Sequence, residues 1–255
     1  MKISIMQKIK NIFKNSLIVV FWLGFWHIAV TLANGGLIID MPTPVTTLKA
    51  LIRLSSNTDF WYSAAMSFLR VILGFLMSVL VGTMGAFLSN KSRFFSSLCS
   101  PVLRLMRAVP VAAFIFLVFL WVKTQYIPQL IAFLTVVPLI WENIQKALCS
   151  LDKKLLEMAE VLKLSKIKTL VFIIFPSIKP AFSASLITGL GFAWKSAVAA
   201  EVICRCANSL GNLLWVGKNS IDYDEVFAVT VVVVVFSILL ETLLKLLLKG
   251  AKEND

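Results

Sequence analysis

From Val226 to Leu248 the chain is almost continuously apolar, and residues 231–240 read Val-Val-Val-Val-Val-Phe-Ser-Ile-Leu-Leu. An α-helix needs about 20 such residues to cross a bilayer. Five further stretches have the same character: about 16–34, 65–89, 100–122, 127–147 and 180–203. In lipid, backbone polar groups must find partners within their own segment. The expected fold is therefore all-α, a polytopic membrane bundle of about six transmembrane helices. Gly74, Gly82 and Gly85 in the second stretch suit close approach to a neighbouring helix, and Gly189 and Gly191 suit the same in the fifth.

Composition supports lipid as the solvent. Hydrophobic residues make up 59% of the 255, and only 15% are charged, against about a quarter in soluble domains. The net charge of +12 does not point to nucleic acid, because the basic residues form no stripe among aromatic stacking positions. They lie between the apolar runs, as the positive-inside rule describes. One set of segments holds Lys2, Lys8, Lys10, Lys14, Lys91, Arg93, Lys146, Lys153, Lys154, Lys163, Lys166, Lys168, Lys179, Lys245, Lys249 and Lys252. The alternate set holds only Lys49, Arg53, Lys123, Arg205 and Lys218. This asymmetry predicts that both termini are cytoplasmic. The basic N-terminus followed by an apolar run is similar to a signal peptide. The run is long, however, includes Trp22, Trp26 and His27, and lacks a small-x-small cleavage site. An uncleaved first span is expected.

No catalytic or metal-binding pattern emerges. Cys99, Cys149, Cys204 and Cys206 form no C-x-x-C pair, and the single histidine, His27, has no ligand companions. Gly211 to Lys218 has five residues between its glycines and is followed by Asn219. A phosphate-cradling loop needs four, then Ser or Thr after the lysine. A membrane-embedded enzyme would need a nucleophile, an acid and a base clustered at a span end, and none is apparent. The alternative of a secondary transporter or channel, working without an ATPase, predicts inverted repeats or broken helices. The two halves show no clear repeat.

The segment from Ser150 to Lys179 is about 30 residues long, a length at which loops usually carry function. On a helix beginning near Leu151, the residues Leu155, Met158, Ala159 and Leu162 share a face with it, while Asp152, Lys153, Glu157 and Glu160 lie mainly opposite. Ser150 suits the cap of that helix and Asp152 its positive end. Ser165 suits the cap of a second short helix, about 166–175, that ends at Pro176. Two short helices meeting at an elbow near 163–165 fit either an interfacial pair lying on the membrane or a knob that docks into a partner.

Glu157-Met158-Ala159, Lys163 and Ile173-Ile174-Phe175-Pro176 resemble the coupling-loop signature of binding-protein-dependent ABC importer permeases. That pattern is Glu-Ala-Ala, three residues, Gly, nine residues, Ile-x-Leu-Pro. Glu157, Ala159, Ile173 and Pro176 match in register; Met158, Lys163 and Phe175 depart. Lys163 stands where glycine would permit a left-handed elbow, a conformation costing other residues roughly 1–2 kcal/mol. The resemblance extends from about residue 60 to 248. It includes Ser67-Phe68-Leu69-Arg70-Val71 with Gly74, Arg107-Ala108-Val109-Pro110, Trp194 through Glu201, and Leu210-Gly211. Together these are similar to the nitrate, sulfonate and taurine branch, which includes permeases for thiamine-precursor pyrimidines.

The resemblance implies a transport subunit rather than an enzyme, a type I importer transmembrane domain in the bacterial cytoplasmic membrane. It would bind no cofactor itself; ATP and Mg would sit on a pair of cytoplasmic ATP-binding subunits. The other implied partners are a second permease copy, in a homodimer, and an external solute-binding protein. Three regions follow: 1–59, an N-terminal tail, first span and external loop; 60–248, the permease core with its coupling loop at 150–179; and 249–255, a cytoplasmic tail. Glu157, Ala159, Lys163, Ile173 and Pro176 would form the coupling site. Charges within spans are costly and usually face a cavity or a partner, which makes Lys195, Glu201 and Arg107 candidates for the translocation pathway. Lys195 and Glu201 are six residues apart, about 240° around a helix, and do not share a face. Lys195 suits either an anion in the pathway or an ion pair with another span. Glu201 is expected near the outer surface, solvated or against the binding protein. Arg104 and Arg107 are expected to snorkel, and Arg70 to snorkel or brace neighbouring helices.

Overall fold

The computed structural model describes residues 2–36 and 41–253, and every regular element among them is helical. Residues 37–40 of the expected external loop and 254–255 of the expected tail lie outside the described residues. Among the described residues five helices are long and apolar enough to cross a membrane, or six if one bent pair counts as a span. The chain forms two compact units, Met1–Phe60 with Leu213–Val232, and Trp61–Asn212 with Val233–Asp255.

In the first unit, α1 (Lys2–Asn34) carries the first candidate span, Ser16–Asn34. The Asn34 side chain closes the following loop: its amide donates to the Met41 carbonyl (3.1 Å), and its oxygen accepts from the Met41 N–H (2.8 Å). Sequence reasoning missed α2 (Pro44–Ser55) within the expected external loop. Its start is fully specified: Thr43 caps, Pro44 opens the first turn, and Thr43 and Thr46 satisfy each other's N–H groups in a capping box. Thr47, Ala50 and Leu54 then form its buried stripe. Arg53, on an exposed flank of the helix, pairs with Asp222 at 2.8 Å and Glu225 at 3.5 Å. The Asp222 carboxylate, by its hydrogen bond and its charge, raises the proton affinity of the Arg53 guanidinium. Burial works against the Asp222 charge, but the Glu225 N–H and the Arg53 guanidinium outweigh it and hold that carboxyl below its usual range.

The second unit is built around α6 (Ile127–Cys149) and α9 (Phe175–Cys204). Ile131, Val136, Ile140 and Ile144 of α6 are fully buried, as are Ala193, Ala197 and Ala200 of α9. Small residues on one helix opposite branched ones on the other permit this close packing. Thr135 and Ser196 hydrogen-bond across the pair at 3.0 Å. The long α3 (Thr58–Lys91) lies against α6 through the glycines singled out above. A methyl group at Gly74 would run into the Gln129 carbonyl, and one at Gly85 into the Trp141 ring. The Ser78 hydroxyl contacts the Phe133 carbonyl of α6 (3.2 Å), and the Trp141 indole donates to Ser89 (3.1 Å). On the other side α9 meets α11 (Tyr223–Glu253): Trp194 donates to the Val233 carbonyl at 3.0 Å, and Gly191 gives room to the Glu241 carboxylate.

Two expectations are corrected. The stretch 100–122 is not one continuous span. It divides into α4 (Arg93–Ala108) and α5 (Val111–Phe119), which meet at 103°. Pro110 is the cause: it lacks an N–H, and it drives Val109 out of the helical region to an extended backbone, φ −76° and ψ 126°. Pro176, by contrast, ends nothing. The helix that starts as α8 (Lys166–Thr169) widens into one π-type turn over Leu170–Ile174 and continues as α9 to Cys204. That wider turn accommodates a residue that has no N–H to return to the preceding turn. The second arm of the elbow is thus the beginning of the fifth span, not a separate short helix.

Candidate functional site

The expected elbow is present. α7 (Lys153–Val161) is capped by Asp152, whose carboxylate accepts from the Lys154 N–H at 2.9 Å. Ser150 instead ends α6, so the cap falls two residues later than expected. Ser165 caps α8 as expected, accepting from the Lys168 N–H at 3.4 Å. Between the arms the backbone makes a Schellman stop: Leu164 N–H donates to the Ala159 carbonyl (2.9 Å) and Lys163 N–H to the Glu160 carbonyl (2.9 Å). Lys163 sits at φ +49°, in the left-handed region. The departure from glycine therefore leaves the elbow where the signature puts it, with lysine bearing the conformational cost.

Around this stop Ala159 and Ile173 are buried, while Glu157 and Pro176 are exposed. Of the apolar face expected on α7, Ala159 turns inward but the larger side chains do not. Met158 and Leu162 are exposed, Val161 is 81% exposed, and Ile167, just past the elbow, 75%. Several large apolar side chains thus lie exposed beside Glu157, which meets no cation among the described residues.

A second constellation lies at the far end of α9, and sequence reasoning did not assemble it. Glu201 is completely buried. One carboxylate oxygen accepts from the Ser67 hydroxyl (2.8 Å) and the Gly211 N–H (3.2 Å); the other faces Arg70 at 3.4 Å. Arg70 also donates to the carbonyls of Asn208 (3.0 Å) and Ala207 (3.2 Å). The first turn of α10 (Leu210–Asn219) is capped by Ser209, which accepts from Asn212 N–H, while Ser67 accepts from Leu210 N–H. The Glu201 carboxylate thus lies at the positive end of a helix, against an N–H that needs a partner. Gly211 is required here, since a methyl group would collide with Glu201 and the Val202 backbone. The expectation of a solvated Glu201 is overturned: burying this charge is tolerable because it has a counterion and three hydrogen bonds. The available signal was an Arg and a Glu, each within an apolar run, each otherwise needing a partner.

The three pathway candidates are not brought together into one cluster. Glu201 belongs to the buried knot. Arg107 does not simply snorkel; at the end of α4 it pairs with Glu142 of α6 at 2.6 Å. Arg104 bonds Ser100 within its own helix. Lys195 is exposed on the side of α9 and meets no carboxylate among the described residues. Gly211 to Lys218, whose glycine spacing excluded a phosphate loop, is helical.

Helices long and apolar enough to cross a membrane, with an exposed elbow between two of them, define a polytopic membrane protein. The family described as binding-protein-dependent transport system inner membrane component matches residues 78–252. The chain belongs to that family and is the permease subunit of an ABC importer. It is 27% identical over 201 residues to SsuC of Escherichia coli, named for aliphatic sulfonates transport (78% of this chain, 74% of that protein). It is 25% identical over 214 residues to the nitrate import permease protein NrtB of Synechocystis sp. (79% and 77%). The fold matches the crystal structure of an amino acid ABC transporter with TM-score 0.58 and 16% identity, covering 83% of this chain and 96% of that one. The break at Pro110 therefore does not mark a secondary transporter, the alternative for which broken helices were expected.

Proposed function

We propose that this permease imports a small oxyanion of the sulfonate or nitrate class, received from an external binding protein and moved by ATP hydrolysis on a pair of cytoplasmic subunits that hold ATP and Mg. Two copies of the chain form the pathway, with both termini cytoplasmic. The observation that carries the substrate class is Lys195: a cation on an exposed face of a span, with no carboxylate partner among the described residues. In a bilayer such a charge requires water, an anion or a partner chain. The names of the relatives, for sulfonates and nitrate, favour the anion.

The coupling mechanism follows from rigidity. α7 is held by the Schellman stop to the helix that runs, through the widened turn at 170–174, to Cys204. When the ATPase pair closes, the exposed apolar ridge of Met158, Val161 and Leu162 moves with the groove that covers it. Ala159 permits close approach, Glu157 supplies the polar contact, and Pro176 and Ile173 set the path into α9. ATP shifts the bundle between inward- and outward-facing forms because closed ATPases fit one position of α7 better than the other.

Uptake by the reconstituted importer, with its ATPase and binding protein, tests this. Glu157→Lys inserts and assembles the bundle normally but loses solute-stimulated ATPase and uptake; unchanged transport overturns the coupling role. Lys195→Met raises the KM for the anion about tenfold, the loss of one charge-assisted contact of about 1.4 kcal/mol. Unaltered kinetics remove Lys195 from the pathway.

A further inference from the structure

We propose that α4 lies flat in the surface of the leaflet on the elbow side of the bundle, with an apolar stripe among the acyl chains and an arginine stripe against anionic headgroups. Three contacts fix its direction. The Phe95 ring stacks on Trp141 with centroids 5.9 Å apart, Ser96 accepts from the Gln145 amide at 3.2 Å, and Arg107 pairs with Glu142. From Phe95 to Arg107 is 12 residues of α4, about 18 Å, whereas Trp141 to Gln145 is four residues of α6, about 6 Å. A helix running alongside α6 would advance along both at the same rate, so α4 crosses α6 steeply. The crossing is level with the end of α3, where Trp141 also donates to Ser89, and near the end of α6 at Cys149. The chain climbs the bundle only after Pro110. There α5 turns off at 103°, and Ile115 packs with Ile127 and Ile131 at the far end of α6.

The surface of α4 divides to match. Phe94, Leu98, Pro101 and Leu105 recur at the spacing of one helix face, and all are exposed, as is Val102 beside them. Arg93, Ser97, Ser100 and Arg104 each precede one of these four by a single residue, so they form a second stripe turned by about 100°. Arg104 donates to Ser100 at 2.9 Å along that stripe. A third side, with Phe95 and the buried Leu103, faces the bundle. A helix at a lipid–water boundary needs an apolar and a basic stripe side by side along its whole length; an upright span does not. The charge decides the occupant. α4 contains no Asp or Glu, and Lys91, Arg93 and Arg104 meet no carboxylate among the described residues. An apolar protein face would cover the first stripe and leave the arginines unanswered, whereas an anionic leaflet answers both. The inference rests on the bundle being membrane-embedded and is independent of the transported solute.

Depth measurement on the complete importer, in vesicles of equal parts phosphatidylcholine and phosphatidylglycerol, tests this. Nitroxide side chains are placed singly at the exposed positions Phe94, Leu98, Val102 and Leu105 by an encoded amino acid, which leaves the native cysteines in place. Collision with oxygen and with a water-soluble nickel chelate then reports depth. All four labels should share one depth, about 5–10 Å below the phosphates. A depth that changes steadily by about 16 Å from 94 to 105, the rise of an upright helix, overturns the proposal. Labels shielded from both reagents also overturn it, because they mark a protein cover such as a second copy. A benzophenone side chain at Ser97, on the stripe between Arg93 and Arg104, reads the headgroups. It should capture phosphatidylglycerol about fivefold over phosphatidylcholine. Arg93→Gln with Arg104→Gln should abolish that preference, and Lys123→Gln, beyond α5, should leave it unchanged. Equal capture of the two lipids by the parent overturns the proposal. Comparison is confined to variants with the parent's size-exclusion profile, so a change of depth is not a loss of fold.

Discussion

α7 and α9 stop in the same way, yet the two stops have opposite surroundings. Each ends in a residue with positive φ, Lys163 at 49° and Arg205 at 51°, and each has an N–H reaching five residues back, from Leu164 to Ala159 and from Cys206 to Glu201. Around the first stop, apolar side chains are exposed and Glu157 has no partner among the described residues; around the second, a carboxylate is buried and each of its oxygens is engaged. One backbone device therefore serves two purposes. At the Arg205 end the chain completes the structure itself, with α3, α9 and α10 locked together by Ser67, Arg70, Glu201 and Gly211. At the Lys163 end apolar side chains are left exposed, as the proposed contact with an ATPase subunit requires.

The strongest way to break this comparison is to remove the buried acid. Glu201→Ala leaves the Arg70 charge in an apolar setting and the Gly211 N–H without its acceptor. We expect a loss of about 3–5 kcal/mol, seen as a large fall in the thermal midpoint of the purified permease. Replacing both partners, Arg70→Met with Glu201→Leu, should recover much of it, because the cost lies in the unpaired charge rather than in the missing bond. Glu157→Ala, at the exposed stop, should shift the midpoint by less than about 0.5 kcal/mol. Equal losses at the two ends would mean that the supposed docking surface is part of the fold.

Much of this was legible in the sequence, and what was not has identifiable causes. The spans followed from apolar length, and the elbow from register with a known signature. The packing glycines followed from their placement in apolar runs, and Gly74 and Gly85 meet α6 as expected. Pro110 and Pro176 were misjudged in opposite directions because a proline's outcome depends on what absorbs its missing N–H. At Pro110 the preceding residue turned extended and the helix broke; at Pro176 a single widened turn sufficed. The Glu201 knot escaped because its members are 134 residues apart between Ser67 and Glu201, and helical periodicity carries no information across such a distance. The resemblance did bracket it: the segments at Ser67–Gly74, Trp194–Glu201 and Leu210-Gly211 are the ones that meet there.

A smaller effect sharpens the difference between the stops. Lys163→Gly removes a left-handed strain of roughly 1–2 kcal/mol but adds back part of it as lost chain entropy. The elbow should become more stable by about 0.5–1 kcal/mol, with amide exchange at Leu164 slowing about two- to fivefold. If exchange there accelerates, the lysine side chain is itself holding the elbow, and the strain argument is wrong.

The smallest expected effect comes from the exposed counterpart of the buried pair. Arg53 and Asp222 approach more closely than Arg70 and Glu201, 2.8 Å against 3.4 Å, but the Arg53 side chain is 60% exposed. Solvent screening should hold its contribution below about 1 kcal/mol, so distance ranks the two pairs one way and burial the other. Asp222 has a lowered pKa in the folded protein, so its stabilisation is fully present above the carboxyl's ordinary value and is lost as pH falls through the folded one. Arg53→Ala should therefore cost a few tenths of a kcal/mol at neutral pH, and the difference from the parent should begin to shrink only below about pH 4 and vanish once pH has fallen through the lowered folded value of Asp222. A loss comparable to that of Glu201→Ala, or one that persists in acid, would show that proximity rather than burial decides the energetics of these two pairs.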